Sequence, residues 1–117
     1  MGPINWLAVG LAALLGAAAW LIRTRDFRPL GVFLALILSL LPAAMLGHAL
    51  ARIGADTLAL KPKLYWMQSG GLAGFFVVPA LLLTARRDGL AWGPALREAG
   101  YWLAVYLAMG TLFWALG

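Results

Sequence analysis

The sequence predicts an all-α integral membrane protein, a four-helix bundle of up-down-up-down topology. Three observations predict it. Apolar residues make up 64% of the 117 positions and charged residues only 11%, where a soluble domain runs near half and a quarter. The apolar residues gather in four runs, each close to the ~20 residues that cross a bilayer as a helix. The charges fall between the runs. Four such spans use about 80 positions at that length, so residues 1–117 form a single transmembrane domain. This arithmetic excludes a soluble enzyme, a disordered tail and a nucleic-acid module. The runs lack polar alternation, which excludes a β-barrel.

The first run, about 4–22, is rich in Ala, Leu and Gly and carries no charge. It ends in the basic cluster Arg23, Arg25 and Arg28. Ala17-Ala18-Ala19 resembles a signal-peptidase site, but residues 1–6 hold no Lys or Arg, so the run is expected to stay as a span. The second run, about 29–51, opens on Pro29, whose missing N–H costs nothing in a first helical turn. Pro42 inside it is expected to kink the helix. A polar connection follows, with Arg52, Gly54, Asp56, Lys61, Pro62 and Lys63. The third run, about 64–85, is interrupted near its far end by Pro79 and closed by Arg86-Arg87-Asp88-Gly89. Trp92-Gly93-Pro94 reads as a turn and helix start, leading into the last run, about 96–116.

Charge orients the spans. Loops one and three share a side and hold Arg23, Arg25, Arg28, Arg86, Arg87 and Arg97; the other side holds Arg52, Lys61 and Lys63. The positive-inside rule then places loops one and three in the cytoplasm and both termini outside. The aromatic residues divide between the same two levels. Trp6, Tyr65, Trp66 and Trp114 fall at the outer ends, and Trp20, Phe27, Trp92, Tyr101 and Trp102 at the inner ends, the depths that amphipathic rings prefer. Arg97-Glu98 and Arg87-Asp88 read as interfacial pairs. The net charge of +5 would point to nucleic acid in a soluble chain; in short loops beside apolar runs it points to the lipid bilayer instead.

Three polar side chains inside the spans are candidate functional residues: His48, Gln68 and Ser69. His48 is the sole His of the chain, and an ionisable group in a span is a functional candidate by default. Its roles range from proton relay and haem ligation to binding a polar substrate, against one interhelical hydrogen bond in a structural reading. Gln68 either lines a path or joins two helices. Gly70 and Gly74 make a GxxxG step that lets another helix approach closely or loosens this one. Small residues recur every fourth position at Ala43, Gly47 and Ala51, and at Gly100, Ala104 and Ala108. Each series sets a flat stripe on one helical face. Gly47, Gly70, Gly74, Gly100, Ala104 and Ala108 are therefore expected at helix contacts. His48 adjoins the first stripe, which directs it toward protein.

The chemistry that is missing matters as much. With no Cys and no second His, the chain offers no disulfide, no thiolate site and no ordinary metal set. Neither a Ser/His/Asp set nor a phosphate loop appears. No acid pair lies inside a span, which argues against a small carboxylate-coupled antiporter. No enzyme activity, cofactor or metal is expected.

The segments Asn5-Trp6-Leu7-Ala8-Val9, Gly47-His48-Ala49-Leu50, Asp88-Gly89, Ala99-Gly100-Tyr101-Trp102-Leu103 and Met109-Gly110 resemble a bacterial family of small membrane proteins, domain-of-unknown-function family 1761. The resemblance covers most of the chain and is loosest in the middle. It departs in loop one, where the family has a longer connection and this chain runs straight from Arg28 into the second span. The resemblance implies four membrane helices and carries no activity. The expected function is that of a small inner-membrane protein of helix–helix association. It would pass a small solute across a homo-oligomer interface. The alternatives are a non-catalytic accessory subunit of a larger membrane complex and, third, a haem- or quinone-linked redox role.

Overall fold

A computed structural model of the chain describes residues 4–25, 27–89 and 91–116. Every element among the described residues is helical. Helix α1 spans Trp6–Thr24 and α2 spans Pro29–Ile53. A short α3, Ala55–Leu60, bridges to α4, Lys63–Arg87, and α5 spans Trp92–Leu116. The four long helices have the length and composition to cross a membrane. This is a small membrane protein whose apolar helices meet the lipid bilayer.

Local chemistry sets the helix ends. The Asn5 side chain accepts from the Ala8 N–H at 3.1 Å and caps α1, supplying a partner to one of the orphan donors of a first turn. Arg25 closes α1 in the left-handed region at φ 57°. Pro29 is the first residue of α2, as its fixed φ favours. At the end of α2, Gly54 turns the chain with φ 93°, a conformation that penalises a Cβ.

Two prolines expected to disturb their helices act differently. Pro42 lies within an unbroken α2. In α4 a π turn, Ala73–Val77, precedes Pro79, and the Val78 N–H bonds the Ala73 carbonyl five residues back. Pro79 has no N–H for the carbonyl of Phe75, and the widened turn re-routes the ladder around that gap. The last helix begins at Trp92 rather than near 96. Pro94 falls in its first turn, where no intrahelical N–H is needed.

The helices pack in the order α2, α1, α5, α4. Helix α1 lies against α2 along its length and against α5 on another side. Helix α5 lies between α1 and α4, which do not touch each other among the described residues. Helix α2 meets α4 only over Lys63–Leu72, next to the α3 bridge. Beyond Leu72, the described residues of α4 rest on α5 alone. The bundle is therefore flattened, 46 × 30 × 17 Å, and opens between α2 and α4 toward loops one and three.

Its core is narrow and filled. Val9, Leu46, Ser69 and Met109 are the largest fully buried side chains among the described residues. Around them pack Ala8, Ala12, Ala43, Tyr106 and Phe113. Many large apolar side chains point outward instead; Phe75 is 81% and Phe76 70% exposed. In water such a surface would aggregate. In lipid it costs nothing, because acyl chains are as apolar as Leu.

Candidate functional site

The two ends of the bundle carry most of the polar and aromatic contacts. At the end formed by loops one and three, Arg23 of α1 donates to Glu98 of α5 at 2.5 Å. The Arg23 guanidinium also lies 4.2 Å from the centroid of the Tyr101 ring. Trp20 stacks on Trp102 at 5.6 Å, and Tyr101 meets Trp102 edge-on. The Tyr101 hydroxyl is buried without a hydrogen-bond partner among the described residues. Glu98 thus pairs across helices, not with Arg97 as the sequence suggested. Neighbouring residues on a helix point about 100° apart, so Arg97 faces outward while Glu98 faces α1. Arg87 and Asp88 do pair, at 3.2 Å on the surface.

The Arg23–Glu98 bridge is partly exposed, at 35% and 30%, so its strength is limited by solvent. A double-mutant cycle with Arg23→Ala and Glu98→Ala should return a coupling of about 1 kcal/mol or less, shrinking at high salt. The readout is the melting temperature in detergent. A salt-independent coupling would overturn this assignment.

At the opposite end Trp66 donates to the Thr111 hydroxyl at 2.8 Å and packs against Trp114 at 5.7 Å. Asn5 donates from its amide to the Leu116 carbonyl at 3.2 Å, holding the N-terminal end of α1 to the C-terminal end of α5. These aromatic contacts sit in two girdles, at the levels read from the sequence.

The sequence-derived candidates do not converge. His48 lies near the end of α2 and is exposed in the single chain, so of its two expected positions, the bundle interior or a subunit contact, it does not take the first. Its Nδ1 is 2.9 Å from the Ala44 carbonyl oxygen, and Trp6 meets the ring at 6.0 Å in a T-shaped contact. Gly47, the preceding residue, takes the interhelical position: a Cβ there would come within 2.6 Å of Val9. Ser69 is fully buried against Gly110 of α5, and its hydroxyl turns back to the Trp66 carbonyl at a long 3.5 Å. That is a packing position. Gln68 beside it is half-buried. His48 on the α1 side and Ser69 on the α5 side belong to separate contacts.

The expected packing residues divide as well. Gly47 is buried, and a Cβ at Gly70 would lie 3.2 Å from Leu107. Gly74 and Gly100 are exposed, with open space where a Cβ would stand. Ala104 is exposed and Ala108 half-buried. Sequence reasoning missed two tight approaches, at Gly16 against Met109 and Ser39, and at Gly110 against Ser69 and Tyr65. A helical period could have placed Gly110 on the core face with Tyr106 and Phe113, but no small residue one turn away marks it.

Two open clefts of about 550 and 280 Å³ lie between α4 and α5 near loop three. The larger is lined by Ala80, Leu81, Thr84, Ala85, Asp88 and Glu98, the smaller by Arg86, Gly89 and Trp92 among others. Neither includes His48, Gln68 or Ser69. No three His, Cys, Asp or Glu residues gather as a metal site among the described residues. No protein family, curated protein or solved structure is found to match this chain.

Proposed function

We propose that this protein acts through helix–helix association in the membrane, as a non-catalytic subunit of a homo-oligomer or of a larger membrane complex. One observation carries the reading. The small-residue stripe of α2 is spent inside the chain, with Ala43 and Gly47 buried, whereas that of α5 faces outward at Gly100 and Ala104. Close backbone approach at small residues supplies the packing that hydrophobicity cannot supply in lipid. The interior is filled by Val9, Leu46, Ser69 and Met109, so passage of a small solute would run along a subunit seam rather than through one chain. The resemblance to family 1761 accords with four spans and adds no activity.

The test uses the absence of native Cys. With Cys at Ala104, mild oxidation in native membranes should trap a covalent dimer, and Cys at Leu83 on exposed α4 should not. Equal trapping at both positions, or none at 104 in a chain that native mass spectrometry finds monomeric, would overturn self-association.

We also propose that the chain lies in the inner membrane with both termini outside. The excess of Arg in loops one and three supports this. Single Cys residues at Thr24 and Gly89 should resist an impermeant thiol reagent added to intact cells, and one at Asp56 should react. The reverse pattern would invert the orientation.

A further inference from the structure

The smaller of the two clefts beside loop three is open, but its lining is ordered by depth. From α4 it takes Leu82, Ala85 and Arg86, a spacing of i, i+3 and i+4 that puts them on one helical face. Gly89 follows just beyond the end of α4, and Trp92 and Ala95, one turn apart on α5, complete the cleft. Ala85 and Ala95 are 8% and 2% exposed and form its floor, where the two helices meet. Leu82 stands one helical turn farther into the span than Arg86. The rim at the loop end is Arg86, Gly89 and Trp92. The cleft is therefore apolar below and cationic above, with an indole N–H, a donor only, beside the charge.

Charge is divided between the two clefts. They share Ala85, but both carboxylates, Asp88 and Glu98, line the larger one. Each is already paired, Asp88 with Arg87 and Glu98 with Arg23. No acid lines the smaller cleft among the described residues, and Arg86 has no ion pair or hydrogen bond among them. An arginine without a carboxylate is a ready donor to phosphate oxygens. Trp92 sets the site at headgroup depth, where basic pockets between membrane helices take anionic lipid heads. One unpaired Arg balances one negative charge, that of a phosphodiester. A zwitterionic head would bring its own ammonium beside Arg86. The volume of about 280 Å³ is many times the ~30 Å³ share of one water and admits a phosphate with its glycerol, an acyl chain leaving along Leu82. We propose that this α4–α5 cleft binds one anionic phospholipid, its phosphate held by Arg86 and Trp92. The site lies apart from the Gly100 and Ala104 stripe and does not depend on self-association.

Full-length protein, delipidated in mild detergent, should retain one phosphatidylglycerol per chain in native mass spectrometry and prefer it to phosphatidylcholine. Arg86→Gln should weaken that binding at least about tenfold, the loss expected of one charge-assisted hydrogen bond. Arg97→Gln, the same charge change on an exposed residue outside both clefts, should not. Phosphatidylglycerol carrying a photoreactive group next to its head should label residues 82–95 of the wild type, a readout that needs no variant to fold. Equal retention of the two lipids, undiminished binding in Arg86→Gln, equal loss in both Arg variants, displacement by inorganic phosphate, or labelling only outside 82–95 would each overturn the site.

Discussion

Gly110→Ala should destabilise the protein, while Gly100→Ala, the same change on the same helix, should stabilise it. In a helix interior Ala gains about 0.5–1 kcal/mol over Gly. At Gly100 nothing within the chain lies within 4 Å of the new methyl, so this gain stands for the chain unfolding as a monomer in detergent. At Gly110 the methyl would come within 2.9 Å of Ser69 Cβ and 3.0 Å of the Tyr65 carbonyl oxygen. Neither neighbour is the free end of a flexible side chain. Ser69 is fully buried and the Tyr65 oxygen is backbone, so α4 itself would have to retreat from α5. Overpacking of this kind costs about 1–3 kcal/mol, more than the helical gain. Gly110→Leu should prevent the folded bundle from accumulating. Gly16→Ala should cost less than Gly110→Ala, because its closest obstacle is the terminal methyl of Met109. Thermal unfolding of the purified variants in one detergent orders them. A melting point for Gly110→Ala at or above wild type would mean that the α4–α5 contact is looser than described.

Ala104→Leu should weaken self-association about tenfold without unfolding the chain. Ala104 is exposed on α5, one turn from the equally exposed Gly100. A Leu there meets lipid in the monomer at no cost, but holds apart two helices that would meet at the stripe. A tenfold loss of affinity corresponds to about 1.4 kcal/mol, within reach of one misplaced side chain, and Gly100→Leu with Ala104→Leu should exceed it. The double variant should run as a monomer in native mass spectrometry with unchanged helical content. If it remains oligomeric, the seam lies elsewhere. If wild type itself is a monomer, α5 offers its stripe to a different chain.

The helices were legible because lipid imposes a single demand on the backbone. Without water to bond, every N–H and C=O within the hydrocarbon must be satisfied inside its own segment, so long apolar runs fold as helices. The aromatic residues were legible for a related reason, since their depth depends on the membrane and not on a neighbour. The candidate site was less so. His48 and Gly47 are adjacent in sequence, and reading them together turned the imidazole toward the bundle or a subunit contact. Successive residues diverge by about 100° around a helix, and Gly47 takes the contact with Val9 while His48 remains outside the bundle. Glu98 followed the same geometry, away from Arg97 and onto Arg23.

Composition and run length alone determined that this is a membrane protein with four apolar helices long enough to span, and roughly where three of them begin and end. Those properties belong to single helices in a lipid solvent. Only the tertiary structure decided which small residues are consumed within the bundle, at Gly47 and Gly110, and which stay outside, at Gly100 and Ala104. A stripe of small residues is equally suited to either use. Its fate depends on the rotation of each helix about its own axis, and that rotation is set by the neighbours that pack on the remaining faces.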